Sequence, residues 1–155
     1  MITSTPRRPR MEVHEPTPSA AAPVTLLVRN VPAEISNLQD QIAAAAAVLG
    51  YPKASLFALR LAVQEAVSNA FRHGHRNLPT DEPITVGFEV TQDRVRVAVE
   101  DHGPGFDPAT IPDPTLEPNL EATSGRGLFL IRAYMAEVSY NSRGNRIAMV
   151  YARPS

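Results

Sequence analysis

The stretch EAVSNAFRHG, residues 65–74, determines how the rest of the chain is interpreted. It closes a helical pattern that begins near Ser55, the predicted N-cap, continues to about His73 and has Gly74 at its C-terminal end. One apolar stripe runs along this predicted helix, as expected for a helix that packs on a protein core. The stripe consists of Leu56, Leu59, Val63, Ala66, Val67 and Ala70.

Polar residues of the same stretch lie away from the apolar stripe. At about 100° per residue, Glu65 lies roughly 160° and Asn69 roughly 120° from the centre of the stripe near Val63. His73 follows Asn69 one turn later and completes a slanted polar row. One interpretation of this row is a solvated helix face. The other is a ligand site, in which a carboxylate accepts a proton and an amide oxygen binds a hard cation such as Mg2+.

Outward from this helix, the pattern of apolar residues and turn signals predicts five strands and two further helices. The strands are predicted at residues 24–31, 84–91, 94–101, 137–142 and 146–153. One helix is predicted at residues 34–49 and the other from about Gly127 onward. The order β-α-α-β-β-α-β-β predicts an α+β fold, a two-layer sandwich with helices on one face of a mostly antiparallel sheet.

Length and composition set broad limits on the chain. Residues 1–23 carry five prolines among small and polar residues and are predicted to be a disordered tail, which leaves one domain at residues 24–155. The formal net charge of -1 gives no bulk bias toward nucleic acid or an anionic membrane. The absence of cysteine excludes disulfides and thiolate metal sites. No apolar run approaches the roughly 20 residues that span a bilayer, so a soluble cytoplasmic protein is expected.

The first of two glycine-containing segments is DHGPGF, residues 101–106, at the end of a predicted strand. A carboxylate at that position, Asp101, can accept a hydrogen bond from an exocyclic amino group such as that of adenine. Gly103 and Gly105 allow the backbone to turn sharply and approach a ligand closely. The alternative is a plain turn from a strand into a loop.

The second segment is SGRG, residues 124–127, at the predicted start of the third helix. Free backbone N–H groups and the helix dipole favour an anion there, and Arg126 can add a charge-assisted contact to a phosphate. The alternative is a flexible loop capped by glycine. Neither segment is a P-loop or a dinucleotide-binding fingerprint, because the Gly-Lys-Ser/Thr sequence and the third glycine are missing.

Taken in order, residues 65–74, 101–106 and 124–131 resemble the N, G1 and G2 boxes of the GHKL ATPase superfamily. Within it, the chain is similar to the anti-sigma-factor serine/threonine protein kinases, through its size, its Glu-Ala-Val-x-Asn N box and its GRGLFLIR segment. The resemblance implies a Bergerat-type sandwich that binds ATP and Mg2+, with residues 106–124 as a lid.

The resemblance also implies a role for the residues of the three boxes. Glu65 would be the catalytic base that activates a substrate hydroxyl, Asn69 would bind Mg2+, and Asp101 would recognise adenine. Further cofactor contacts are implied at His73, Gly103, Gly105, Ser124, Gly125, Arg126, Gly127 and Leu128. One interpretation of His73 and His75 is a pair of phosphate contacts, and the favoured alternative is that both are satisfied histidines at a helix end. One departure from the pattern is Thr123, where some relatives carry an arginine.

For this family the implied partners are a sigma factor and a STAS-domain anti-anti-sigma protein that is phosphorylated on serine or threonine. A homodimer without direct nucleic-acid contact is expected. A second hypothesis is a non-catalytic ATP-binding module that sequesters a sigma factor, although the intact Glu65 favours the kinase. A third is a detached catalytic domain of a histidine kinase. It is disfavoured because residues 1–54 contain only His14, in the predicted tail.

Overall fold

The computed structural model of the chain describes residues 22–104 and 123–155, and the side chains of residues 123–126 are excluded from the description. The five strands of the described part are β1 (Val24–Val28), β2 (Ile84–Val90), β3 (Arg94–Glu100), β4 (Glu137–Tyr140) and β5 (Arg146–Ala152). The helices are α1 (Pro32–Val48), α2 (Lys53–Asn69), a π-helical turn (Ala70–Gly74) and α3 (Thr123–Tyr134). The predicted order of strands and long helices is confirmed. The predicted tail and lid fall almost entirely outside the described residues.

The strands form one antiparallel sheet in the order β1-β2-β3-β5-β4. Alternate residues of the three central strands are buried, and they meet in register across the sheet, as in the row Val86, Val99 and Ile147. The buried faces of all three long helices join the same core cluster. The helices therefore cover one face of the sheet, which confirms the predicted α+β sandwich.

The start of α1 differs from the prediction by two residues. β1 ends at Val28, because the backbone N–H of Arg29 already turns to the Glu34 carboxylate, 2.8 Å away. Pro32 then lies in the first turn of α1. A proline is tolerated there because the first N–H groups of a helix have no intrahelical partner.

The prediction that Ser55 caps α2 is wrong. The helix begins at Lys53, and Pro52 occupies the cap position without a side-chain hydrogen bond. Ser55 lies inside the first turn and is fully buried, and its Oγ accepts a hydrogen bond from the Tyr151 hydroxyl at 2.7 Å. The serine therefore fastens α2 to β5 instead of starting the helix.

The connection between α1 and α2 is held by Arg153, which follows β5. Its guanidinium donates to the carbonyl oxygens of Leu49 at 2.9 Å and Gly50 at 3.1 Å. The same group lies over the ring of Tyr51, 4.6 Å from its centroid. Gly50 has a φ of 86°, a conformation that favours glycine. Across residues 22–104 and 123–155, no helix combines the length and apolar character needed to cross a membrane.

Candidate functional site

The polar row predicted on α2 is present for its first two members. The apolar stripe is buried as predicted except at Leu56, which is partly exposed, and Glu65 and Asn69 lie on the half-exposed side of the helix. They are one turn apart, so their side chains can act on one ligand. No described residue forms a hydrogen bond or ion pair with the Glu65 carboxylate, which leaves it available to accept a proton.

The chain leaves α2 through a π-helical turn at Ala70–Gly74, where the prediction had a continuous α-helix to His73. The backbone N–H of His75 reaches back to the Ala70 carbonyl at 3.0 Å, one residue further than in an α-helix. His73 is exposed in this turn. Partial burial of its ring, and then the charges of Arg72 and Arg76, lower the pKa of His73. Single π-helical turns are frequent at functional sites.

α3 comes close to Asn69 at Gly127, the residue that follows its first turn. A Cβ atom on Gly127 would lie 3.1 Å from Asn69 Nδ2 and 3.4 Å from Oδ1. Residue 127 is therefore a position where only glycine allows such a close approach without displacing the amide. The N box and the G2 box, which are almost 60 residues apart in the sequence, thus meet at the Asn69 side chain.

α3 begins at Thr123, four residues before the predicted start near Gly127. Two glycines in a helix cost about 1 kcal/mol each relative to alanine, so the pattern alone favours a loop at residues 124–127. Packing of α3 against α2 overrides that preference. An anion site at the N-terminal end of α3 stays a prediction.

Asp101 lies just beyond β3 and is 8% exposed. Its Oδ1 accepts a hydrogen bond from the Gly103 N–H at 2.8 Å, which closes a tight turn. Asn145 holds the backbone of Asp101 from the other side. Its backbone carbonyl accepts the Asp101 N–H at 2.8 Å, and its side-chain Nδ2 donates to the Asp101 carbonyl at 3.1 Å. Burial raises the pKa of the Asp101 carboxyl, while the Gly103 N–H and the nearby histidines act in the opposite direction.

Two glycines bring the end of the N box into direct contact with the G1 turn. A Cβ atom on Gly103 would lie 1.9 Å from the Gly74 carbonyl oxygen, and one on Gly74 would lie 2.2 Å from Asp101 Cγ. Of the glycines described, only Gly50 and Gly144 have a positive φ. Glycine is therefore required at residues 74 and 103 because a side chain there would overlap neighbouring atoms, and not because of the backbone conformation.

Sequence analysis missed some residues that support the site, and some predicted site residues lie outside the part of the chain that the structure describes. The sequence assigned Gly74 only to a helix end, and nothing in it indicated that Asn145 supports Asp101.

His75 is buried against the G1 turn, where its Nε2 accepts the His102 N–H at 2.8 Å, so the interpretation of His75 as a phosphate contact is not supported. Leu128 is buried in the core, so its side chain is not available for the predicted cofactor contact. Gly105 and the side chains of Ser124 and Arg126 lie outside the described residues, and Gly125 lies in the first turn of α3.

The donor set fits Mg2+ that arrives with a nucleotide better than a resident metal ion. In the described part of the chain, no group of three or more histidine or acidic side chains is arranged to hold a metal. Mg2+ commonly takes one or two protein oxygens and completes its octahedron with phosphate oxygens and water. A single amide oxygen at Asn69, near the N-terminus of α3, matches that mode.

Comparison with known proteins agrees with this arrangement. A family model described as a histidine kinase-like ATPase domain matches residues 28–151. The serine-protein kinase RsbW of Oceanobacillus iheyensis is 32% identical over 103 residues, which cover 61% of this chain and 63% of the relative. The serine-protein kinase RsbW of Staphylococcus aureus (strain MRSA252) is 33% identical over 97 residues, with coverages of 58% and 61%. The chain thus spans about three fifths of the length of these curated relatives.

The matched region contains both the N box on α2 and the Asp101 turn, and it reaches to β5. The resemblance of the chain to the GHKL ATPase superfamily is thereby confirmed. The chain belongs to the histidine kinase-like ATPase domain family.

Proposed function

We propose that the chain is an ATP-dependent serine/threonine protein kinase that acts as an anti-sigma factor and phosphorylates a STAS-domain anti-anti-sigma protein. Membership of an ATPase domain family implies ATP binding, and the printed names of the relatives support the kinase activity. The observation that carries the proposal is the position of Asn69. Its side chain lies against Gly127 of α3, and one helical turn away is the Glu65 carboxylate, which has no hydrogen-bond partner among the described residues.

Asp101 is the residue proposed to recognise adenine. Its Oδ1 is occupied by the Gly103 N–H, while its second oxygen has no hydrogen-bond partner among the described residues. That oxygen can accept a hydrogen bond from the exocyclic amino group of the base. Because the carboxylate is largely buried and the turn is held by Asn145, little reorganisation is needed when the base enters.

Glu65 is proposed to accept the proton of the substrate hydroxyl. As the hydroxyl oxygen forms its bond to the γ-phosphorus, the bond to the ADP oxygen breaks and the proton passes to the Glu65 carboxylate. Asn69 would hold Mg2+, which when bound neutralises charge on the phosphate oxygens. His73 and the N-terminal turn of α3, with Gly125, Arg126 and Gly127, would contact the phosphates.

The proposed partners follow from the resemblance to anti-sigma-factor kinases. The chain would bind a sigma factor until the unphosphorylated STAS-domain protein displaces it. We place this activity in the cytoplasm, in a homodimer, without direct contact to nucleic acid or to a membrane. The formal net charge of -1 and the absence of cysteine support that environment.

The test is transfer of the γ-phosphate of radiolabelled ATP to a purified STAS-domain protein. Glu65→Gln should reduce the rate at least about 100-fold while leaving ATP affinity within about twofold, because general-base catalysis contributes roughly 10²–10⁴. Glu137→Gln on β4 is the matched control and should be indistinguishable from wild type. Equal rates for wild type and Glu65→Gln would refute the assigned role. Capture of a sigma factor with no phosphorylated product from wild type would favour the non-catalytic module.

A further inference from the structure

His75 is a buried histidine to which the proposed phosphotransfer chemistry gives no task. It directly follows the π-helical turn and is only 7% exposed. Its ring packs edge-on against Phe71, with centroids 5.6 Å apart, and lies 5.7 Å from the ring of His102. The residue therefore lies between the end of α2 and the turn that carries Asp101.

The hydrogen bond at Nε2 determines the tautomer of this ring. The backbone N–H of His102 donates to His75 Nε2 at 2.8 Å, so Nε2 carries a lone pair and the proton of the neutral imidazole is on Nδ1. Nδ1 is buried and has no hydrogen-bond partner among the described residues. A buried donor without a partner is unfavourable for stability, so folding alone does not explain a histidine at this position.

The bond from His102 to His75 holds the centre of the G1 turn. His102 stands between Asp101 and Gly103, whose own hydrogen bond closes the turn. On the outer side, His102 Nδ1 contacts Glu82 Oε2 at 2.8 Å and Nε2 lies 3.1 Å from Thr85 Oγ1. Those two contacts tie the turn to β2 and to the segment before it. The bond from the His102 N–H to His75 Nε2 links the turn to the segment that follows α2, the helix that carries Asn69.

We propose that His75 is a positioning residue for base recognition, which fixes the Asp101 carboxylate through the His102 N–H and keeps it in register with Asn69. The proposal rests on the proposed ATP-binding function and deepens it. His75 touches no part of the nucleotide. It acts because a turn held at its central N–H cannot rotate the carboxylate away from the exocyclic amino group of adenine.

The test compares ATP with purine riboside triphosphate, which carries hydrogen in place of the adenine amino group. His75→Phe keeps an aromatic ring beside Phe71 but removes the acceptor, and His75→Gln restores an acceptor oxygen at similar reach. Calorimetric titration of His75→Phe should show ATP bound roughly tenfold more weakly, the size expected for one hydrogen bond to a charged group. Affinity for the purine analogue should stay unchanged, and His75→Gln should recover most of the preference for ATP.

Each other outcome has a definite meaning. The positioning role would be overturned if His75→Phe kept the wild-type preference for ATP over the purine analogue. It would also be overturned if His75→Phe lost affinity equally for both nucleotides and His75→Gln did not restore it. Failure of the wild-type chain to bind ATP would instead refute the proposed function. Amide hydrogen exchange on the wild-type protein gives a second measurement that needs no variant. The His102 amide should be protected, and rapid exchange would contradict the bond to His75.

Discussion

A methyl group added at Gly103 should separate the two halves of the site. In Gly103→Ala the new Cβ would lie 1.9 Å from the carbonyl oxygen of Gly74, and ordinary contact begins at 3.4 Å. The methyl group meets a backbone atom, so no side chain can rotate away to relieve the overlap. The separation must grow by about 1.5 Å, which displaces the turn that carries Asp101.

The size of the effect follows from what the displaced turn holds. Loss of a hydrogen bond between adenine and a charged carboxylate costs about 1.5–3 kcal/mol, which corresponds to a roughly 10- to 140-fold higher Kd for ATP. Overpacking of a close contact lowers the free energy of unfolding by about 1–3 kcal/mol. Calorimetric titration with ATP and urea unfolding measure the two quantities separately.

Gly87→Ala is the matched control for this substitution. Gly87 lies in β2, and its Cβ would meet the nearest atom, the carbonyl oxygen of Val24, at 3.7 Å. Alanine there should leave ATP affinity unchanged and stability equal or higher by about 0.5–1 kcal/mol, because glycine weakens a strand interior. An ATP affinity of Gly103→Ala within twofold of wild type would refute the argument that the two glycines hold the site together.

Three further substitutions test other parts of the structure. Asp101→Asn should raise the Kd for ATP roughly 10-fold or more, because the charged acceptor for the adenine amino group is lost. The same change should raise the free energy of unfolding at pH 7: burial raises the pKa of this carboxyl, so its ionised form opposes folding. The gain should shrink as the pH falls below the ordinary carboxyl range, where both states are protonated, and a constant gain in urea titrations at pH 7 and pH 3 would contradict this. Arg153→Ala should lower the free energy of unfolding by about 1–3 kcal/mol through loss of its carbonyl hydrogen bonds; unchanged urea unfolding would contradict the role of Arg153 in holding the connection between α1 and α2. Tyr151→Phe should cost about 1 kcal/mol because it removes the donor to the buried Ser55 Oγ, and a neutral result would show that this bond contributes nothing.

The sequence was sufficient for the fold because its periodic patterns are local. The stripe centred on Val63 and the alternating valines of β2 and β3 require only neighbouring residues to be recognised. Once those elements are placed, burial on one face of the sheet leaves few arrangements open. The three boxes also predicted a site, and the structure brings Asn69 close to Gly127 and Asp101 close to Gly74.

The features that sequence analysis missed depend on contacts between distant residues. Serine is a residue type typical of an N-cap, yet Ser55 accepts a hydrogen bond from Tyr151, almost 100 positions away in the sequence. The glycines at residues 124–127 favour a loop, and only packing on α2 makes them helical. Gly74 looks like an ordinary helix end, and its need for space is visible only when Asp101 is placed beside it.

The central claim is nucleotide binding at the Asp101 turn. It is tested most directly by calorimetric titration of ATP, with and without Mg2+, into the wild-type chain and into Asp101→Ala. We expect Mg2+-dependent binding by the wild type and loss of that binding in the variant. No binding by the wild type, or equal binding by Asp101→Ala, would contradict it.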